Sequence, residues 1–311
     1  MENEPLVSVI IPCYNVSPYV EKAIHSILDQ TYSNLEIFII DDASTDDTLQ
    51  KIQSFKDNRI IIKQYKTNTQ KIGAVNDVLK EVKGDFIAFQ DADDWSESAR
   101  IEKQVNQFLK DKKLGICFTR YKYFGEKESV PGKVALTNDE LRDEFLSFGN
   151  KKNKELEATV CGTMMISAAA LELTKGYHDY FKGRVGEDIH WVYRILKSYE
   201  GITVPEVLYH YRLRNNSLTH LQLNSGNIKA AYSWELLEKI IYLDIHKNID
   251  VLKEADKDKL NAIELEACEN ALSKHIKNSQ LIQLNYQNSA SYKLGRILLT
   301  PFFFVRRFWG K

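Results

Sequence analysis

Phe86-Ile87-Ala88-Phe89-Gln90-Asp91-Ala92-Asp93-Asp94 passes from four apolar residues to three carboxylates within four positions. A short apolar run closed by polar residues has the length of a buried strand, and the acids then stand at its carboxyl end. Ile37-Phe38-Ile39-Ile40 followed by Asp41-Asp42 repeats the arrangement. Carboxylates crowded at strand tips repel one another and resist desolvation, so they persist where a cation or a ligand's donors share the site. Without a ligand, the same residues read as a solvated turn with acidic helix caps.

Outward from these two runs, short apolar stretches alternate with segments of helical period from Leu6 to about Phe118. This pattern signals a parallel sheet covered by helices. Val7 to Ile11, Glu36 to Ile40, Arg59 to Tyr65, Asp85 to Gln90 and Gly115 to Phe118 read as strands. Ser17-Pro18 opens a helix with Val20, Ile24, Ile27 and Leu28 on one face. Thr45 or Asp46 caps a second helix, and Val75, Val78, Leu79 and Val82 mark a third that Gly84 closes as a C-cap. Ile101, Val105, Phe108 and Leu109 form a fourth stripe. Beyond residue 120 the chain is less regular. Thr137 with Glu140 forms a capping box, Thr159 to Ile166 is placed to rejoin the sheet, Glu187-Asp188 opens another helix, and Ile202 to Arg212 is β-rich around Pro205. After Ser217 the character is helical.

A chain of 311 residues with 43% apolar and 27% charged residues is ordinary globular material. Its net charge of −1 argues against nucleic acid as the main partner, since counterion release rewards a strongly basic face. Cys13, Cys117, Cys161 and Cys268 are scattered without metal spacing, and no signal peptide opens the chain, so reduced thiols in the cytoplasm are expected. No segment reaches the roughly 18 apolar residues of a spanning helix.

In an open parallel sheet, ligands bind outside the carboxyl ends of the strands, where both acidic clusters fall. Tyr14 and Asn15 lie just past the first strand. Tyr14 stacked on a planar base, with Asp42 accepting from a ring N–H, makes a base-recognition pair; alternatively Tyr14 only packs the rim. Asp91, Asp93 and Asp94 are hard oxygen ligands suited to Mg²⁺ or Mn²⁺, which bind through one or two carboxylates plus phosphate oxygens. No Walker loop and no Gly-x-Gly-x-x-Gly follows the first strand. Phosphates must then be held by metal and basic side chains, for which Lys71 and Arg212 are candidates; a surface role fits each equally. Trp95 is placed to stack on a sugar face, while Cys13 has no His and Asn partners to make it a nucleophile.

The series Val7-Ser8-Val9-Ile10-Ile11-Pro12-Cys13-Tyr14-Asn15, Ser26 to Tyr32, Ile39 to Thr48, Gly73-Ala74-Val75-Asn76, Gly84 to Asp94, Gly162-Thr163-Met164-Met165 and Glu187-Asp188 resembles a family-2 glycosyltransferase with the GT-A fold, over about residues 6 to 220. The resemblance implies an α/β architecture, a mostly parallel Rossmann-like sheet flanked by helices, with a helical C-terminal extension. The GT-A domain is expected over 1–220, with a nucleotide-binding half at about 1–120 and an acceptor half at about 121–220. Pro12, Tyr14 and Asp42 would contact base and ribose, most often uridine. Asp91-Ala92-Asp93 would be the Asp-x-Asp motif, with Asp93 the chief metal ligand and Asp91 nearer the ribose or metal shell. Asp94 would support that turn or face the sugar. Asp188 of the Glu187-Asp188 pair would be the general base, with Glu187, Trp95 and Arg212 on the acceptor or sugar side. Val75 stands where an arginine is common, and the processive Gln-x-x-Arg-Trp motif is absent, which favours single-sugar transfer.

These expectations describe an inverting, metal-dependent transferase using a nucleotide-sugar donor and a glycan or lipid-linked acceptor. A nucleotidyltransferase would be expected to carry a basic glycine-rich loop that this chain lacks, and a silent nucleotide-binding scaffold would have no need of Asp93 and Asp188. After Glu269 the sequence contains no acid, while Lys274, Lys277, Lys293, Arg296, Arg306, Arg307 and Lys311 remain. Within the helical region 221–311, the basic, amphipathic stretch 293–311 reads as an interfacial helix for the anionic inner face of the membrane, or as a helix docked on the protein or a second subunit.

Overall fold

The computed structural model describes residues 4–125, 128–130, 134–146, 161–214, 228–253 and 257–288. Among these residues, eight strands form one sheet in the order β3-β2-β1-β4-β7-β6-β8-β5. Strands β1 (Val7–Cys13), β2 (Leu35–Asp41), β3 (Ile60–Gln64) and β4 (Phe86–Phe89) are mutually parallel, as the alternating pattern predicts. The remaining half is mixed. Strand β7 (Met165–Ser167) runs antiparallel to β4 and to β6 (Leu114–Gly125), β8 (Glu200–Leu213) is parallel to β6, and β5 (Trp95–Ser96) closes the edge antiparallel to β8.

Both faces of the sheet are buried, which is why its central strands read as continuous apolar runs. Helices α1 (Val20–Leu28), α2 (Thr48–Ser54) and α4 (Arg100–Lys110) cover one face, where Val9, Ile11, Ile37 and Ile39 meet Ile24, Ile27 and Val105. The opposite face joins Ile10, Phe38 and Ile40 to α3 (Gln70–Val78), α5 (Asn138–Leu146), α6 (Ala168–Thr174), α7 (Glu187–Leu196), α8 (Ile228–Lys247) and α9 (Lys257–Asn288). Trp191 of α7 is fully buried there, edge-on to Phe89, with its indole N–H donating to Thr174. Among the described residues no helix is long and apolar enough to cross a membrane. The stretch 293–311 lies outside the described residues.

Thr137 and Glu140 form the reciprocal capping box, with each side chain accepting the other's backbone N–H. The ladder between β6 and β8 skips Pro205 and Glu206, because proline has no N–H to donate. Gly84 is not a C-cap: it lacks a positive φ, and its N–H donates to Ser8 Oγ at 2.9 Å. A Cβ there would come within 2.6 Å of the Ser8 backbone, so close approach to β1 explains the glycine. Ser17-Pro18 forms the turn before α1, with no side-chain cap on that helix.

Candidate active site

Ile10 stands opposite Phe89, and Cys13 opposite Asp41, so the residues following β1, β2 and β4 emerge at one rim. Tyr14 is about half exposed there. Asn15, at φ +51°, turns its carboxamide to accept from Thr45 N–H at 2.8 Å, so it shapes the loop after β2. Pro12 is the penultimate residue of β1, level with Ile40. Asp42 is buried and its Oδ1 accepts from both the backbone N–H and the hydroxyl of Thr69, at 2.8 and 2.9 Å. That pair of hydrogen bonds ties the end of β2 to the residue that precedes α3.

The acids after β4 have different partners. Asp94 is almost fully buried: Oδ2 accepts from the Tyr209 hydroxyl at 2.9 Å and Oδ1 from the Arg212 backbone N–H at 2.7 Å. Burial and the neighbouring charges of Asp93 and Asp91 push its carboxyl well up. Asp93 is ion-paired to Arg214 at 2.8 Å, and its backbone carbonyl accepts from Arg212 Nε. Arg212 lies between the rings of Tyr19 and Phe124, 4.4 Å from each. Asp91 is raised by burial and by the charges of Asp93 and Asp188, with Lys71 and Arg100 pulling the other way. Behind Asp91 runs Gly162, where a Cβ would strike the Tyr209 hydroxyl and lie 2.8 Å from Asp91 Oδ2. Ala92 is buried in the turn.

Glu187 and Asp188 occupy the first turn of α7, where the helix dipole favours negative charge. Lys71, in the first turn of α3, donates to both oxygens of Asp188 at 3.2 and 3.4 Å across 117 residues of sequence. Burial alone would lower the lysine; Asp188, with Tyr177, Asp91 and Glu187, reverses that and holds the ammonium well above its ordinary value. Glu187 is pushed up to about 7 by burial and by Asp188, against Lys71. Tyr177 packs 6.0 Å from the Lys71 ammonium, its hydroxyl buried beside Asp188 without a well-formed hydrogen bond. One continuous group of acids and cations thus extends from Asp93 through Asp91 and Lys71 to Asp188.

Trp95 stands apart from that group. Its ring stacks on His210 at 3.3 Å between centroids, with the Lys22 ammonium 4.1 Å from its centre. The indole is therefore engaged with protein at the β5 edge instead of offering an open face to a sugar. Four residues of the site escaped the sequence reading: Arg214, Tyr209, Tyr177 and Arg100. Arg100 is fully buried, its Nη1 donates to the Gly162 carbonyl at 3.2 Å, and burial pushes it down to about 10. Only Tyr209 and Arg214 carried a sequence signal, as neighbours of Arg212.

Among the described residues no three His, Cys, Asp or Glu side chains converge as a closed metal cage. Mg²⁺ and Mn²⁺ need less, because they complete their shell with water and substrate phosphate. Asp91 and Asp93 offer two hard-oxygen donors, and burial together with the charges of Asp93 and Asp188, which raise Asp91, are costs that a bound cation relieves. The donor set therefore fits a divalent ion shared with a phosphorylated ligand.

Comparison with known proteins bears on the family and the fold. The family model described as "Glycosyl transferase family 2" matches residues 8–173. The putative teichuronic acid biosynthesis glycosyltransferase TuaG of Bacillus subtilis is 31% identical over 245 residues, covering 77% of this chain and 91% of that protein. The Escherichia coli UDP-Glc:alpha-D-GlcNAc-diphosphoundecaprenol beta-1,3-glucosyltransferase WfaP is 41% identical over 125 residues, 40% of this chain and 49% of that one. The crystal structure of S. aureus TarS 1-349 in complex with UDP-GlcNAc superposes with a TM-score of 0.61 at 20% identity, over 93% of this chain and 77% of that chain. With its strands, its rim and these relatives in agreement, the chain belongs to glycosyl transferase family 2 and has the GT-A fold.

Proposed function

We propose that the chain transfers a hexosyl or N-acetylhexosaminyl group, with inversion, from a UDP-sugar to a glycan or lipid-linked acceptor in cell-surface polysaccharide synthesis. The observation that carries this reading is the single rim where Asp42 after β2, Asp91 and Asp93 after β4 and Asp188 of α7 are brought together from three separate elements. The names of TuaG and WfaP support the setting and the lipid-linked acceptor, and the UDP-GlcNAc complex of TarS supports the donor class.

Asp93 and Asp91 would hold a divalent cation, Mg²⁺ or Mn²⁺, which when bound neutralises charge on the leaving diphosphate. Asp42, Pro12 and Tyr14 orient the nucleoside end. Asp188 accepts the proton of the acceptor hydroxyl as that oxygen attacks the anomeric carbon from the face opposite the diphosphate. The bond from that carbon to the β-phosphate oxygen breaks, and its electron pair leaves with the UDP. A single displacement of this kind inverts the configuration.

The test is UDP release from nucleotide sugars with Mn²⁺ present, after a thermal-shift screen for the donor that raises the melting temperature most. Asp93→Ala is expected to abolish release; release that persists at the wild-type rate would remove the metal assignment, and a wild type without release would leave a silent nucleotide-binding scaffold. For the proposed place of action, peripheral at the cytoplasmic membrane face, the basic stretch 293–311 is the support. Removing it should free the protein from anionic vesicles in a sedimentation assay, and unchanged binding would count against it.

A further inference from the structure

Lys71 was expected to hold phosphate, yet it grips the candidate base. Its ammonium contacts both Asp188 oxygens, so the carboxylate that should receive a proton already has a cation across its two acceptor atoms. The lysine also lies within electrostatic reach of Asp91, at the diphosphate end of the rim. Its backbone position depends on the nucleotide end too. Asp42 Oδ1 fixes Thr69 through two hydrogen bonds, Thr69 precedes α3, and Lys71 lies in the first turn of that helix. Between them Gln70 has φ +64°, a left-handed conformation that a residue with a side chain adopts at a cost. Three consecutive residues therefore connect the group expected to meet the nucleoside with the group expected to take the proton, through a joint held under strain.

We propose that Lys71 couples donor occupancy to the base: it pairs with Asp188 until the donor arrives and then transfers to the donor's diphosphate oxygens, leaving Asp188 free for the acceptor hydroxyl. Lys71 is then a positioning residue shared by two anions, and it favours a sequence in which donor binds before acceptor. The coupling presupposes Asp188 as the base and a diphosphate donor. Diphosphate is the anion favoured for the exchange because it is the ligand charge that arrives at Asp91 and Asp93, whereas an uncharged acceptor hydroxyl has nothing to draw the ammonium away.

The test is a binding cycle without turnover, by calorimetric titration of UDP with Mg²⁺ into wild type, Asp188→Asn, Lys71→Met and the double variant. If Lys71 is shared, neutralising Asp188 releases it, and UDP binds about fivefold more tightly to Asp188→Asn. Lys71→Met should bind UDP more weakly, and in that background Asp188→Asn should add nothing. Lys71→Arg should restore binding. An Asp188→Asn effect that survives in the Lys71→Met background would mean simple removal of negative charge, and would overturn the coupling, as would UDP affinity indifferent to Asp188. Transfer retained by Asp188→Asn would refute the base while leaving the shared lysine intact, so the two failures are distinguishable. A wild type that binds no nucleoside diphosphate removes both.

Discussion

Asp94 and Asp188 belong to the same rim and have opposite kinds of partner. Asp94 is buried, and its two oxygens are taken by a tyrosine hydroxyl and a backbone N–H of one strand, β8. Those donors are parts of the sheet and cannot leave without disturbing it. Asp188 is about a quarter exposed and is held by one lysine on a flexible stem, from a different helix. A carboxylate fixed by scaffold donors is structural, whereas one paired to a detachable cation remains available to substrate. Asp93 falls with Asp188: its ion-pair partner Arg214 also arrives on a long side chain.

The largest effects should separate the two acids cleanly. Asp188→Asn should lower kcat by about a thousandfold, the middle of the range for a lost general base. Its melting temperature should hardly move, because a partly exposed ion pair contributes at most about 1 kcal/mol. Asp94→Ala should do the reverse in kind. It strands the buried Tyr209 hydroxyl and the half-buried Arg212 N–H of β8, at about 2 kcal/mol, a fall of several degrees in melting temperature. Thermal melts and steady-state rates on both variants check the contrast. Equal losses of stability in the two would break it.

The contrast also marks how far the sequence could be read. Strands β1, β2 and β4 were legible because they are buried on both faces, and burial demands the unbroken apolar runs that locate them. Strand β5 was not, since two residues are too few to show a period, and β7 was placed only coarsely, as the end of the stretch Thr159 to Ile166; their pairing is set by β8 and β6 instead. In the site, Asp93 and Asp188 could be named because a strand end and a helix start are local facts. Their partners could not. Tyr209 meets Asp94 across 115 residues and Lys71 meets Asp188 across 117, so only the folded sheet reveals which acids are held fast. Trp95 shows the same limit: its type suggested a sugar platform, and tertiary contact with His210 and Lys22 engages its ring with protein.

A smaller effect, in pH, sharpens the comparison on the α7 side. Glu187 ordinarily titrates at 4.5, and here burial and the adjacent Asp188 charge push it up to about 7, with Lys71 opposing. Between those two values the folded chain keeps a proton that the unfolded chain has released. Stability from this group is therefore fully present below about pH 4.5 and is lost as pH rises through about 7. The melting temperature of wild type should accordingly fall between pH 5 and pH 8, and Glu187→Gln, which cannot ionise, should show a smaller fall. The buried acids on the β4 side contribute a slope of the same sign, since burial raises Asp91 and Asp94 as well. Only the difference between wild type and variant therefore isolates α7. An identical fall in both proteins would mean that Glu187 shares its charge with solvent, and that the helix start carrying Asp188 is more open than its burial implies.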